Sequence, residues 1–122
     1  MKLQLSQKEY ELLLPIIEQR IADYFMQIRH AVLSPFKQEL RQKKFHLIAI
    51  RELLRNAPAA QIELSEEQIR TLVELLRETL HELPGEIRHS QSVDWRTGLK
   101  KEKEQLHRLL EKLEAHIPEP TA

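Results

Sequence analysis

Three Glu-x-x-His pairs are the first residues in this chain with spacing suited to chemistry: Glu78 with His81, Glu86 with His89, and Glu104 with His107. That spacing puts a carboxylate and an imidazole on one helix face, as di-iron carboxylate bundles do to hold metal. Such bundles also need inward-facing glutamates on the other two helices. Here the apolar stripe of each helix leaves these side chains on outer or flanking positions, and His30, the counterpart of His89, follows Gln27 rather than a glutamate. Surface histidines are the better reading, and no metal or cofactor is expected. Nucleophilic catalysis has no firmer footing. The chain has no cysteine and no Gly-rich phosphate loop; Ser6 and Ser65 serve as helix caps, and the other serines lack an identifiable base and orienter. The expectation is a protein without catalytic activity.

A second set of residues could bind anions. Arg29 and His30 come just before a turn, and Lys37, Arg41 and Lys44 follow it at helical spacing; Arg88, His89, Arg96, Lys100 and Lys103 repeat the arrangement later in the chain. Cations in the first turn of a helix oppose its dipole, so helix stability does not account for Lys37 and Arg96. A helix N-terminus ringed by Arg and Lys suits an anion such as phosphate. The bland alternative is a solvated face laced with intrahelical ion pairs, since Glu39, Glu52 and Glu104 are interspersed among the cations.

The helices that carry these residues are legible from start signals and periodicity. Ser6-Gln7-Lys8-Glu9 and Ser65-Glu66-Glu67-Gln68 are capping boxes, each with a hydrophobic staple, Leu5 with Tyr10 and Leu64 with Ile69. Tyr10, Leu14, Ile17, Ile21, Tyr24, Ile28 and Ala31 then recur at steps of four and three, as do Phe36, Leu40, Lys43, Leu47, Ile50, Leu54 and Ala57. Shifting by 59 positions aligns residues 3–57 with 62–116 without a gap, including Ile28-Arg29-His30 on Ile87-Arg88-His89. The chain therefore reads as two tandem helical hairpins. Ser34 and Asp94 are candidate N-caps for the second helix of each hairpin. Short connections favour antiparallel neighbours, so the predicted fold is all-α, a four-helix up-down-up-down bundle in one domain, 1–122. Leu83-Pro84-Gly85 interrupts the third helix without breaking its phase and is read as a kink.

The run Ile28-Arg29-His30, then Phe36-Lys37-Gln38-Glu39-Leu40 and a leucine-rich helix, resembles small uncharacterised bacterial helical-hairpin proteins. The resemblance spans each repeat once. It implies the hairpin fold and brings no activity with it.

Two departures from the repeat bear on function. Lys43 and Glu102 occupy equivalent polar positions within the apolar stripes. Either they form an ion pair in the core that fixes register between hairpins, or both sit where the bundle opens and reach water. Repeat one also carries surplus apolar residues, Leu12, Phe25, Met26, Leu33, Phe45, Ile48 and Leu53, where repeat two has Thr71, Pro84, Gly85, Ser92, Glu104, His107 and Lys112. One hairpin seam cannot bury them all, so a homodimer or a partner protein is expected on repeat one, unless its helices sit more centrally in the monomer.

Composition narrows the classes further. Apolar residues are 41% and charged residues 31% of the 122, which suits a globular helical protein. The zero net charge argues against a generic nucleic-acid binder, although residues 1–58 carry ten Lys/Arg against six Asp/Glu and residues 59–122 carry nine against thirteen. No apolar run approaches bilayer-spanning length and Met1-Lys2-Leu3-Gln4 starts no signal peptide, so the expectation is a cytoplasmic protein with no membrane partner. The leading functional expectation is a self-associating or partner-binding helical protein. The alternative is an anion or nucleic-acid binder using the paired basic clusters.

Overall fold

Two serines open the architecture in the same way. In a computed structural model describing residues 2–57, 61–89 and 93–117, with the side chains of 84–89 excepted, the Glu9 amide donates to Ser6 Oγ at 3.1 Å and the Ser6 amide donates to Glu9 Oε1 at 2.9 Å. The Gln68 amide and Ser65 Oγ are likewise 3.1 Å apart, and the Ser65 amide lies 2.9 Å from Gln68 Oε1. Both predicted capping boxes are formed, each satisfying two amides that the first turn leaves without helical partners.

The described residues are all-α, with four helices and little strand. Strand β1 (Lys2–Gln4) precedes α1 (Gln7–His30) and α2 (Ser34–Asn56); β2 (Gln61–Glu63) precedes α3 (Glu66–His89) and α4 (Val93–Glu114). Residues 2–64 form one compact unit, and residues from Ser65 onward form the other. Each contains a pair of packed helices, α1 with α2 (hairpin one) and α3 with α4 (hairpin two). Helix α3 runs unbroken through Pro84 and Gly85 to His89, so it does not end early.

The two short strands were not anticipated from periodicity. They pair antiparallel, with Lys2 opposite Glu63, Leu3 opposite Ile62 and Gln4 opposite Gln61, and β2 lies against α2. Leu3 and Ile62 are buried and their neighbours exposed, so one face of the ribbon is apolar. Such a short ribbon is not stable alone, and burial of Leu3, Leu5, Ile62 and Leu64 supplies what pairing does not. The alignment of the two repeats also matches Leu3 with Ile62, so the register is centred on an equivalent pair.

Most of the predicted apolar stripe is inside. In hairpin one Ile17, Leu40, Leu47, Ile50 and Leu54 are buried, with Tyr10, Leu14, Ile21, Tyr24 and Ile28 half-buried. In hairpin two Ile69, Val73, Leu76, Leu80, Leu83, Leu99, Leu106, Leu109 and Leu113 are buried. Phe36 and Trp95, the first stripe residues after each turn, are instead exposed. The stripe gives the direction in which a side chain leaves its helix; cover depends on whether a neighbour reaches that far. For Phe36, the α1 stripe ends at the turn in Ile28 and the small Ala31, both themselves only half-buried.

The cap of α2 also differs from expectation. Leu33 is the N-cap residue, without a side-chain hydrogen bond, and Ser34 and Pro35 lie inside the first turn. Asp94 likewise falls within the first turn of α4, where its charge favours the helix dipole. Helix α1 carries Pro15 in its interior, at the cost of one ladder hydrogen bond, and this proline faces solvent.

Candidate interaction surface

The turn of hairpin one shapes this surface. Ala31 and Leu33 are both extended, with ψ of 134° and 124°, and no glycine is present in the three-residue connection. The two residues after the half-buried Ala31 project outward: Val32 is 92% exposed and Leu33 71%. Sequence reasoning named Leu33 and missed Val32. The available signal was a run without acidic residues, Tyr24 to Gln38, bounded by Asp23 and Glu39.

Further along the hairpin the surplus apolar residues divide. Phe25, Met26, Phe45 and Leu53 are exposed, whereas Leu12 and Ile48 are half-buried. Phe45, Ala49 and Leu53 follow at four-residue steps along α2 and make an outer stripe. It leads into an open groove of about 600 Å³ lined by Ala49, Leu53 and Ala57 and by the ribbon residues Ile62 and Glu63.

The apolar and cationic candidates meet at Lys44. Its ammonium lies 5.8 Å from the centroid of the Phe25 ring on α1 and 5.1 Å from that of Phe45 on α2. Both distances are within cation–π range, and together they bridge the two helices. Arg29, His30 and Arg41 are exposed and Lys37 is half-buried. Nearer the ribbon the basic stripe is neutralised: Arg55 pairs with Glu18 of α1 and, at 3.7 Å, with Glu52, while Arg51 lies 3.3 Å from Glu52. On α2 the ion-paired Arg51 and Arg55 therefore lie at the ribbon end of the basic stripe, and Lys37 and Arg41 at the turn end.

Lys43 is exposed and ion-paired along its own helix with Glu39 at 3.5 Å. Glu102 is half-buried on α4. No charged or polar side chain is buried among the described residues. Of the second basic cluster, Arg96 and Lys100 are exposed and Lys103 half-buried on α4; the Arg88 and His89 side chains lie outside the described residues, as do those of Glu86 and Pro84. Glu78, His81, Glu104 and His107 are exposed, and among the described residues no group of three or more His, Asp or Glu side chains is arranged to hold a metal ion. No described helix is long and apolar enough to cross a membrane. No family model, curated protein or solved structure matches the chain.

Proposed function

We propose that this chain is a non-catalytic helical interaction protein of the cytoplasm that associates through hairpin one, with a second copy of itself as the first partner to test. The observation that carries the reading is the exposure of Phe25, Met26, Phe45 and Leu53 on a hairpin whose own seam is already closed by Ile17, Leu40, Leu47 and Leu54. Burying side chains of this size stabilises an interface by about 1.5–3 kcal/mol each when they are fully covered. Leu12, Leu33 and Ile48 extend the same surface. The near-identical capping boxes, the helix starts at Gln7 and Glu66, and those at Ser34 and Val93 support descent from one duplicated hairpin. On this reading copy one acquired the contact surface.

A second reading has one observation of its own. An ammonium between two exposed rings, with Lys37 and Arg41 beside it on α2, suits a phosphate backbone whose bases stack on phenylalanine. Two variants separate the readings. Ile48→Ser/Leu53→Ser should abolish self-association in sedimentation velocity and leave single-stranded oligonucleotide binding unchanged. Lys37→Glu/Arg41→Glu/Lys44→Glu should do the reverse. Self-association that survives the first variant and is lost in the second would overturn the apolar reading.

A further inference from the structure

The turn of hairpin one has a composition different from the side stripe. Val32 and Leu33 project at the extremity, and exposed Phe36, Met26 and Phe25 continue the apolar surface away from it on both helices. Arg29, His30 and Lys37 lie within the same span, with Arg41 and Lys44 beyond it, and no acidic residue occurs between Asp23 and Glu39. At 1.5 Å of rise per residue, the apolar part reaches about 9 Å from Ala31 to Phe25 along α1. That height matches the roughly 5–10 Å by which an amphipathic element enters the boundary between headgroups and acyl chains.

We propose that this turn docks on an anionic lipid bilayer, with Val32, Leu33 and Phe36 at the acyl boundary and the surrounding cations among the headgroups. No described helix is long and apolar enough to cross a membrane, and this mode of contact requires none. Two physical points favour a lipid surface over another macromolecule. The outermost side chains of this tip, Val32 and Leu33, are aliphatic and offer bases nothing to stack on, and the tip needs a matching hollow in a protein partner, whereas a fluid interface deforms around it. The charge is also complementary: Arg29 and Lys37 have stems long enough to keep their cationic heads at headgroup level while the neighbouring rings and aliphatics go deeper. Arg41 and Lys44 remain in the negative potential above the surface. Insertion stops at the interface because the amides of Val32 and Leu33 lie outside the helical ladders and need polar partners. This contact shares Phe25, Met26 and Leu33 with the surface proposed for self-association, but it does not use Phe45 or Leu53.

The test is co-sedimentation of the full chain with phosphatidylcholine vesicles and with phosphatidylcholine/phosphatidylserine vesicles, at low and physiological salt. Binding should require phosphatidylserine and weaken as salt rises. Val32→Asp/Leu33→Asp, in the exposed connection, should lower partitioning at least about tenfold with helicity unchanged by circular dichroism. Lys37→Gln/Arg41→Gln should weaken it roughly fivefold for each cation removed. In a Trp95→Phe background, a Leu33→Trp reporter should blue-shift on anionic vesicles and be quenched by lipids brominated near the headgroup. Absence of wild-type partitioning, equal partitioning of Val32→Asp/Leu33→Asp, or an unshifted Trp reporter would overturn the proposal. So would a wild-type protein that binds single-stranded oligonucleotide and ignores the vesicles.

Discussion

Hairpins one and two start from the same instructions and end with different surfaces. Their first helices open on capping boxes of matching geometry and their apolar stripes share one spacing. Yet α3 buries Ile69, Leu72, Val73, Leu75, Leu76, Leu80 and Leu83, whereas α1 buries only Leu13 and Ile17. Hairpin one in turn exposes Phe25, Met26, Val32, Leu33, Phe36, Phe45 and Leu53, against Val93 and Trp95 among the described residues of hairpin two. A shared stripe therefore specifies the seam of each hairpin and leaves the other faces free to diverge. Hairpin two has the wider buried apolar face, and hairpin one carries more of its apolar side chains exposed.

The largest effects are expected where both hairpins bury equivalent residues. Ile17 and Leu76 are matched positions and both are fully buried. Truncating either to alanine should cost about 2–5 kcal/mol in denaturant unfolding, the deletion plus the cavity it leaves. A cost below about 1 kcal/mol at Leu76 would mean that α3 does not pack tightly around it. Next comes Pro15, solvent-facing in α1, whose counterpart in α3 is Glu74. Pro15→Glu should stabilise hairpin one by up to about 3 kcal/mol by restoring a ladder hydrogen bond and relieving the ring clash. A neutral or destabilising result would show that the proline fits a local distortion of the helix.

Smaller effects sharpen the same contrast. Gly98 lies within α4, its counterpart in α2 is Glu39, and a methyl group there would meet nothing within 4 Å. Gly98→Ala should therefore raise the midpoint of thermal unfolding, corresponding to about 1 kcal/mol. Ser6→Ala and Ser65→Ala should each cost about 1 kcal/mol, and by similar amounts, because the two boxes are geometrically alike. A clear inequality would mean that tertiary context, and not the cap, dominates at one of them.

What was readable in advance follows the reach of each signal. A capping box is a contract among four adjacent residues, so Ser6 and Ser65 announce their helices wherever the helices pack. The stripe is a repeating pattern along one element, which is why Leu40, Leu47 and Leu54, or Leu99, Leu106 and Leu113, were identifiable as interior. Phe36 and Trp95 share that pattern but are exposed at the turn-proximal starts of α2 and α4. The β1–β2 ribbon was out of reach because Leu3-Gln4-Leu5 and Ile62-Glu63-Leu64 alternate too briefly to declare a strand and pair across more than fifty residues of chain. The meeting of Phe25, Lys44 and Phe45 was hidden for a related reason: it depends on the axial register of α1 against α2. Of the candidate surface, the apolar surplus was legible by comparing the repeats, and its convergence with the cations was not.

Light scattering on the purified chain across a wide concentration range tests most directly whether the exposed face of hairpin one is a contact surface. A contact surface there gives a mass of twice the 14.5 kDa chain at micromolar concentrations, and the single-chain mass for Phe45→Asp/Leu53→Asp at unchanged helicity. A wild-type protein that stays at the single-chain mass throughout, or a variant that dimerises as well as wild type, would contradict it.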